Sequence, residues 1–214
     1  MLNKIELSEL MAAKFSHDLA GPIGAINNGV EFLLDQDESM KARAYQLVET
    51  SSKQAVARLQ FFRQAYGIAP KIGEANLAEI KILIENFLVS TKLKLVWEDE
   101  NVATPGLFVG PKFAKILLNI IVLLQNVLIH GGNVDVKLSK IPNGKKVEVT
   151  AIGQNWRIDQ EMEKLLSNNS EGIEISSKNI QVYFTNELIQ DLGAKLKIEK
   201  SEKFVRFILE YTKL

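Results

Sequence analysis

The chain has 214 residues, 46% of them hydrophobic, and its 26 basic residues match its 26 acidic ones. That is enough apolar material for a core in one large domain or two small ones, and zero net charge provides no global field toward nucleic acid or an anionic membrane. Cysteine is absent, which excludes disulfides, thiolate catalysis and cysteine-bound metals together. No basic-then-apolar leader opens the chain, and its longest apolar stretch, 116–129, is interrupted by Asn119, Gln125 and Asn126; a cytoplasmic protein without a membrane segment is expected.

From about residue 7 to 34, Met11, Phe15, Leu19, Ile23, Ile26, Val30 and Leu33 recur three and four apart, the mark of a helix with one buried stripe. Within it, KFSHDLAGPIG at 14–24 breaks local rules. An internal glycine costs roughly 1 kcal/mol and an internal proline roughly 3 relative to alanine, because the ring lacks an N–H and crowds the carbonyl four residues back. For Pro22 that carbonyl is Asp18's. The pair Gly21–Pro22 is expected to bend the helix and free this carbonyl, the alternative being a break into two shorter helices. At about 100° per residue, His17 points away from the apolar stripe, as do Leu10, Lys14, Gly21, Gly24 and Asn28. One of only two histidines is thus expected on the solvent face, among small residues that leave the backbone open to approach.

The polar run 35–39 ends this helix and offers Asp or Ser caps for the next. A second seam follows at Tyr45, Val48, Ser52, Ala55, Leu59, Phe62 and Tyr66. Two such helices joined by a short turn form an antiparallel hairpin, and one hairpin has too few faces to enclose a core. Pairing two copies into a four-helix bundle solves this, so a homodimer is expected; packing of the hairpin on the C-terminal half is the alternative.

Gly67 to Gly73 changes the composition and reads as a linker between a unit at 1–68 and one at 74–214. Beyond it, Asn76 followed by Glu79 caps a helix to about residue 90. Residues 92–98 alternate as a strand, and 111–130 form a long apolar helix closed by Gly131–Gly132. Strands at 134–138 and 146–151 flank the hairpin signal Pro142–Asn143–Gly144. A short helix at 159–166, a helix at 179–192 stopped at Gly193, and paired strands at 196–200 and 204–211 complete a layered α+β domain.

A helical hairpin bearing His, then an acid, then a Pro, and feeding through a linker into a small α+β domain, resembles the dimerisation and ATP-binding halves of bacterial histidine kinases. His17–Asp18–Leu19 with Pro22 matches the phosphoacceptor box. More narrowly, FSHDLAGPIGAINNGVE at 15–31, FRQAYG at 62–67 and ILLNIIVLL at 116–124 resemble the ChpT-type histidine phosphotransferases of alphaproteobacteria. The resemblance implies an α+β fold: an N-terminal antiparallel helical hairpin forming a dimeric four-helix bundle, plus a C-terminal α/β sandwich resembling a histidine-kinase ATP-binding (Bergerat) domain.

Kinases of this class hold Mg–ATP with paired asparagines, an Asp-x-Gly-x-Gly turn and a glycine-rich turn opening a helix. Here Asn119 fills the first asparagine position and Leu123 the second. The adenine-binding Asp position falls on Ala151, with Gly153 the one surviving glycine, and 176–181 (SSKNIQ) has none. Loss of a carboxylate, a metal ligand and the phosphate cradle together leads to the expectation of no nucleotide.

The resemblance implies instead that His17 accepts a phosphoryl group from the receiver domain of a hybrid histidine kinase and passes it to response-regulator receivers. A neutral imidazole offers a nucleophilic nitrogen near pH 7, and the receiver supplies its own Mg²⁺ and Lys, so no cofactor is expected on this chain. Asp18 is placed to orient the imidazole or act as a base, and Lys14, one turn before His17, to attract phosphoryl charge. Leu10, Ala13, Lys14, Ala20, Gly21, Gly24 and Asn28 are the expected receiver-docking surface. His130 at a helix end, Trp97, Trp156 and Gly153 are read as structural. The competing functions are a divergent soluble histidine kinase and a non-catalytic dimeric adaptor for response regulators.

Overall fold

The structure, a computed structural model, describes residues 2–34, 38–70, 73–98 and 109–212. Its first element, α1 (Lys4–Leu33), opens in a capping box: the Asn3 side-chain oxygen accepts from the Ile5 and Glu6 amides, and the Asn3 amide donates to the Glu6 carboxylate. The helix continues through Pro22, so it is not two shorter helices. The second helix, α2 (Glu38–Tyr66), packs back against it; the Asp caps expected at 35–37, and 71–72 of the expected linker, lie outside the described residues, while Ser39, also offered as a cap, lies inside α2.

The line of closest approach inside this hairpin is made by small side chains. Pro22, Gly29, Ala44 and Ser51 are buried, whereas Ile23, Val30, Tyr45 and Leu59 from the expected apolar seams are exposed, as is Val56. Within the single chain the expected stripes are therefore only partly covered. Small residues let the two backbones come together, which turns part of each large-residue seam onto the neighbouring face. A Cβ at Gly29 would sit 2.6 Å from Val48 Cγ2 and 3.3 Å from the Ala44 carbonyl oxygen.

The remaining elements follow the sequence pattern. Asn76 caps α3 (Leu77–Leu88), accepting from the Ala78 and Glu79 amides. Strand β1 (Leu93–Val96) precedes α4 (Pro111–Val127), which has proline in its first turn. Then come β2 (Gly132–Ile141), a turn with Asn143 at φ 59°, and β3 (Gly144–Ile152). A short α5 (Gln160–Leu166) and α6 (Ile180–Leu192) lead to β4 (Lys195–Lys200) and β5 (Phe204–Thr212). Gly193 at φ 69° provides the left-handed stop to α6.

The strands form one mixed sheet in the order β1-β2-β3-β5-β4, parallel between β1 and β2 and antiparallel elsewhere. Alternate residues point to the core: Val134, Val136 and Leu138; Val147, Val149 and Ala151; Val205, Phe207 and Leu209. The helix α4 is buried almost all round. Phe61, Phe62 and Ala65, at the end of α2, belong to the same core, and Phe61 stacks on Phe87 of α3 with ring centroids 3.9 Å apart. The hairpin thus does pack on the C-terminal half at this end, while its apolar residues farther along remain uncovered. Gly29→Leu should destabilise the protein by about 1–3 kcal/mol through overpacking of the hairpin, measured by urea denaturation.

Candidate functional site

His17 lies in the middle of α1 with 89% of its side chain exposed, held by the helix rather than by a pocket. Ala13, Ala20, Gly21, Gly24 and Asn28 are exposed with it, and no atom stands within 4 Å of where a Cβ would sit at Gly21 or Gly24. Open, low-relief surface therefore surrounds the imidazole. Leu10 departs from the expected docking face. It is half-buried against the core, because α6 of the C-terminal domain packs on the N-terminal part of α1.

Asp18 and Lys14 form a pair, with Lys14 Nζ donating to Asp18 Oδ2 at 2.8 Å and both side chains only 17% exposed. Lys14 is thus engaged with Asp18. The other Asp18 oxygen, Oδ1, stands 3.4 Å from His17 Nδ1, a long contact of the kind that tightens once the ring carries charge. It directs Nδ1 toward the carboxylate and leaves Nε2 without a protein partner among the described residues. The carbonyl freed by Pro22 has found a donor. Arg58 Nη1 of α2 bonds the Asp18 oxygen at 3.2 Å.

The last carbonyls of α2 are capped from another element. Asn119 of α4 donates to Ala65 O at 2.8 Å, and Lys115 Nζ donates to Gly67 O at 2.8 Å and Tyr66 O at 3.4 Å. Gln181 of α6 donates to Asn119 Oδ1 at 2.9 Å while accepting from the Tyr66 hydroxyl at 2.7 Å. Burial pushes the Tyr66 hydroxyl far above its ordinary pKa, with the Asp18 charge acting in the same direction. Burial also lowers the Lys115 ammonium, opposed by Asp191.

These contacts decide what the positions matching nucleotide ligands do. Asn119 is fully buried with both ends of its amide engaged. Ala151 is a core residue of β3. Ahead of α6, the Asn179 side chain accepts from the Ser176 amide and donates to Glu161 and the Glu174 carbonyl. Gly153 has a packing role, since a Cβ there would meet Gly131 O at 2.8 Å and a Leu128 methyl at 2.9 Å. At these positions the side chains are engaged with, or packed among, the protein's own groups. Trp97 is buried in the core, Trp156 donates to Ser201 O at 3.0 Å, and His130 is exposed in the turn after α4. Among the described residues no cluster of three His, Asp or Glu is placed to hold a metal, and no helix is long and apolar enough to cross a membrane.

Sequence reasoning identified the Asp18 carbonyl as orphaned but missed its donor. In the assembled hairpin Gly29 packs at the level of Ala44 and Val48, a register that runs residue 58 past residue 18 and that no local pattern reveals. Lys115 and Gln181 likewise carry no local signal, because their roles depend on how the domain docks.

Comparison with known proteins places this arrangement. A family described as histidine phosphotransferase C-terminal domain matches residues 77–204. The protein phosphotransferase ChpT of Brucella abortus (strain 2308) is 28% identical over 210 residues, covering 98% of this chain and 97% of the relative. A solved bacterial phosphotransferase, 26% identical, superposes with a TM-score of 0.84 over 98% of each chain. Asn119→Ala, which orphans the Ala65 carbonyl and the Gln181 amide together, should lower stability by about 1–3 kcal/mol, read as an earlier urea midpoint.

Proposed function

Because this chain belongs to the histidine phosphotransferase family, we propose that His17 is its phosphoacceptor, taking a phosphoryl group from the receiver domain of a hybrid histidine kinase and passing it to response-regulator receivers. The observation that carries the reading is a solvent-facing imidazole with Asp18 at Nδ1 and Nε2 left free. Nε2 attacks the phosphorus of the receiver's aspartyl phosphate; the N–P bond forms as the O–P bond to the aspartate breaks and the carboxylate leaves. The ring keeps its Nδ1 proton and becomes cationic, and the Asp18 carboxylate beside that nitrogen stabilises the charge. Running the same steps backward delivers phosphate to a second receiver. Positioning dominates such a reaction, so an exposed, oriented histidine suffices when Mg²⁺ and Lys come with the receiver.

The relay operates without ATP. Support comes from the buried, doubly engaged Asn119, the apolar Ala151 and the glycine-free turn before α6, where the Asn179 side chain is bonded to Ser176, Glu161 and Glu174. The protein is a homodimer in this reading, through the apolar face that the hairpin leaves uncovered. A groove of about 690 Å³ there is lined by Met11, Phe15, Val56, Leu59, Phe62 and Tyr66, and Ile23, Val30 and Tyr45 are exposed beyond it. Docking of receivers uses Ala13, Ala20, Gly21, Gly24 and Asn28 around His17, with Lys14 supporting from its pair with Asp18.

His17→Gln should abolish transfer from a phosphorylated receiver, and Asp18→Asn should slow it about 10–100-fold; unchanged transfer by His17→Gln would instead support an adaptor. Incubation with labelled ATP and Mg²⁺ should leave the protein unlabelled, whereas labelling of His17 would identify a kinase. Sedimentation at micromolar concentration should give a dimer, and a monomer would contradict the bundle.

A further inference from the structure

We propose that Arg58 is a positioning residue for phosphoryl transfer, acting on His17 through the Asp18 backbone; the inference rests on His17 being the phosphoacceptor. Pro22 deprives the Asp18 carbonyl of its helical donor, and a carbonyl in that position is free to tilt away from the helix axis. Arg58 replaces the missing N–H from across the hairpin, at 3.2 Å. The peptide it grips starts at the Cα that carries the Asp18 side chain, so the bond fixes the direction from which that carboxylate meets His17 Nδ1 and Lys14 Nζ.

Arg58 is itself held. Its guanidinium carbon lies 6.0 Å from the centroid of the Phe87 ring, which is stacked on Phe61. Its Nε is buried and has no hydrogen-bond partner among the described residues. An arginine kept there with one donor unsatisfied is a poor choice for stability alone, since an apolar side chain would fill the space without that cost. What it alone supplies is a donor at the point where proline removed one. The site thereby gains a proline-loosened backbone next to the phosphoacceptor whose geometry is set from α2.

The test compares single-turnover transfer from a receiver domain, charged with acetyl phosphate and known to exchange phosphate with the unaltered protein. Arg58→Met should lower the maximal transfer rate about tenfold while leaving the receiver concentration at half-saturation unchanged. Pro22→Ala returns a helical N–H to the Asp18 carbonyl and makes Arg58 redundant, so Arg58→Met with Pro22→Ala should transfer at the rate of Pro22→Ala alone. If Arg58→Met does not fold, Arg58→Lys is measured in both backgrounds, with slowing expected only where Pro22 is present. Wild-type rates for the Arg58 variants, or slowing that Pro22→Ala does not relieve, would overturn the inference. Transfer surviving His17→Gln would overturn the reading beneath it, which distinguishes the two failures.

Discussion

The last turn of α2 leaves carbonyl groups that no helix can satisfy internally, and the molecule depends on where they go. Asn119 and Lys115 take those of Ala65, Tyr66 and Gly67, and Gln181 ties Asn119 to the Tyr66 hydroxyl. Each group in this join is buried or half-buried, so each bond left unmade would carry a full desolvation penalty. Phe61, Phe62 and Phe87 pack beside it. The hairpin is thereby seated on the sheet domain through both polar and aromatic contacts, and the side chain matching a nucleotide ligand is consumed in the seating.

That arrangement bears on the relay proposed for this chain. A kinase must bring its nucleotide domain to its histidine, which requires a joint able to move. Here the corresponding joint is filled with directional bonds, and His17 stands on a supported helix with its imidazole facing solvent. The proposed relay would ask little chemistry of this chain: one nucleophilic nitrogen, one carboxylate to hold the opposite edge of the ring, and flat surface for a partner that brings metal and phosphate.

Much of the fold was legible because the signals are local. The cap at Asn76, the Asn143–Gly144 turn and the Gly193 stop each act within a few residues, and strand alternation follows from burial of one sheet face. His17 was legible for the same reason, as a polar residue opposite an apolar stripe. Periodicity does not show where small side chains do the packing. Gly29, Ala44 and Ser51 carry little hydrophobic signal yet set the contact within the hairpin, so the large residues of each seam stand beside that contact rather than in it. Leu10 failed for a different reason: docking of α6 on α1 is a long-range event, invisible in the period of α1 itself. The donor to the Asp18 carbonyl was of the same kind, a need visible in sequence whose answer lay forty residues away.

If His17 is the phosphoacceptor proposed here, phosphate resides on its nitrogen facing away from Asp18. Phosphorus–proton NMR of the protein trapped after transfer from a charged receiver, paired with peptide mapping under alkaline conditions that preserve phosphohistidine, tests it directly. A single phosphoramidate on His17 Nε2 is the expected result. Phosphate on Nδ1, on His130 or on a side chain other than histidine would contradict it.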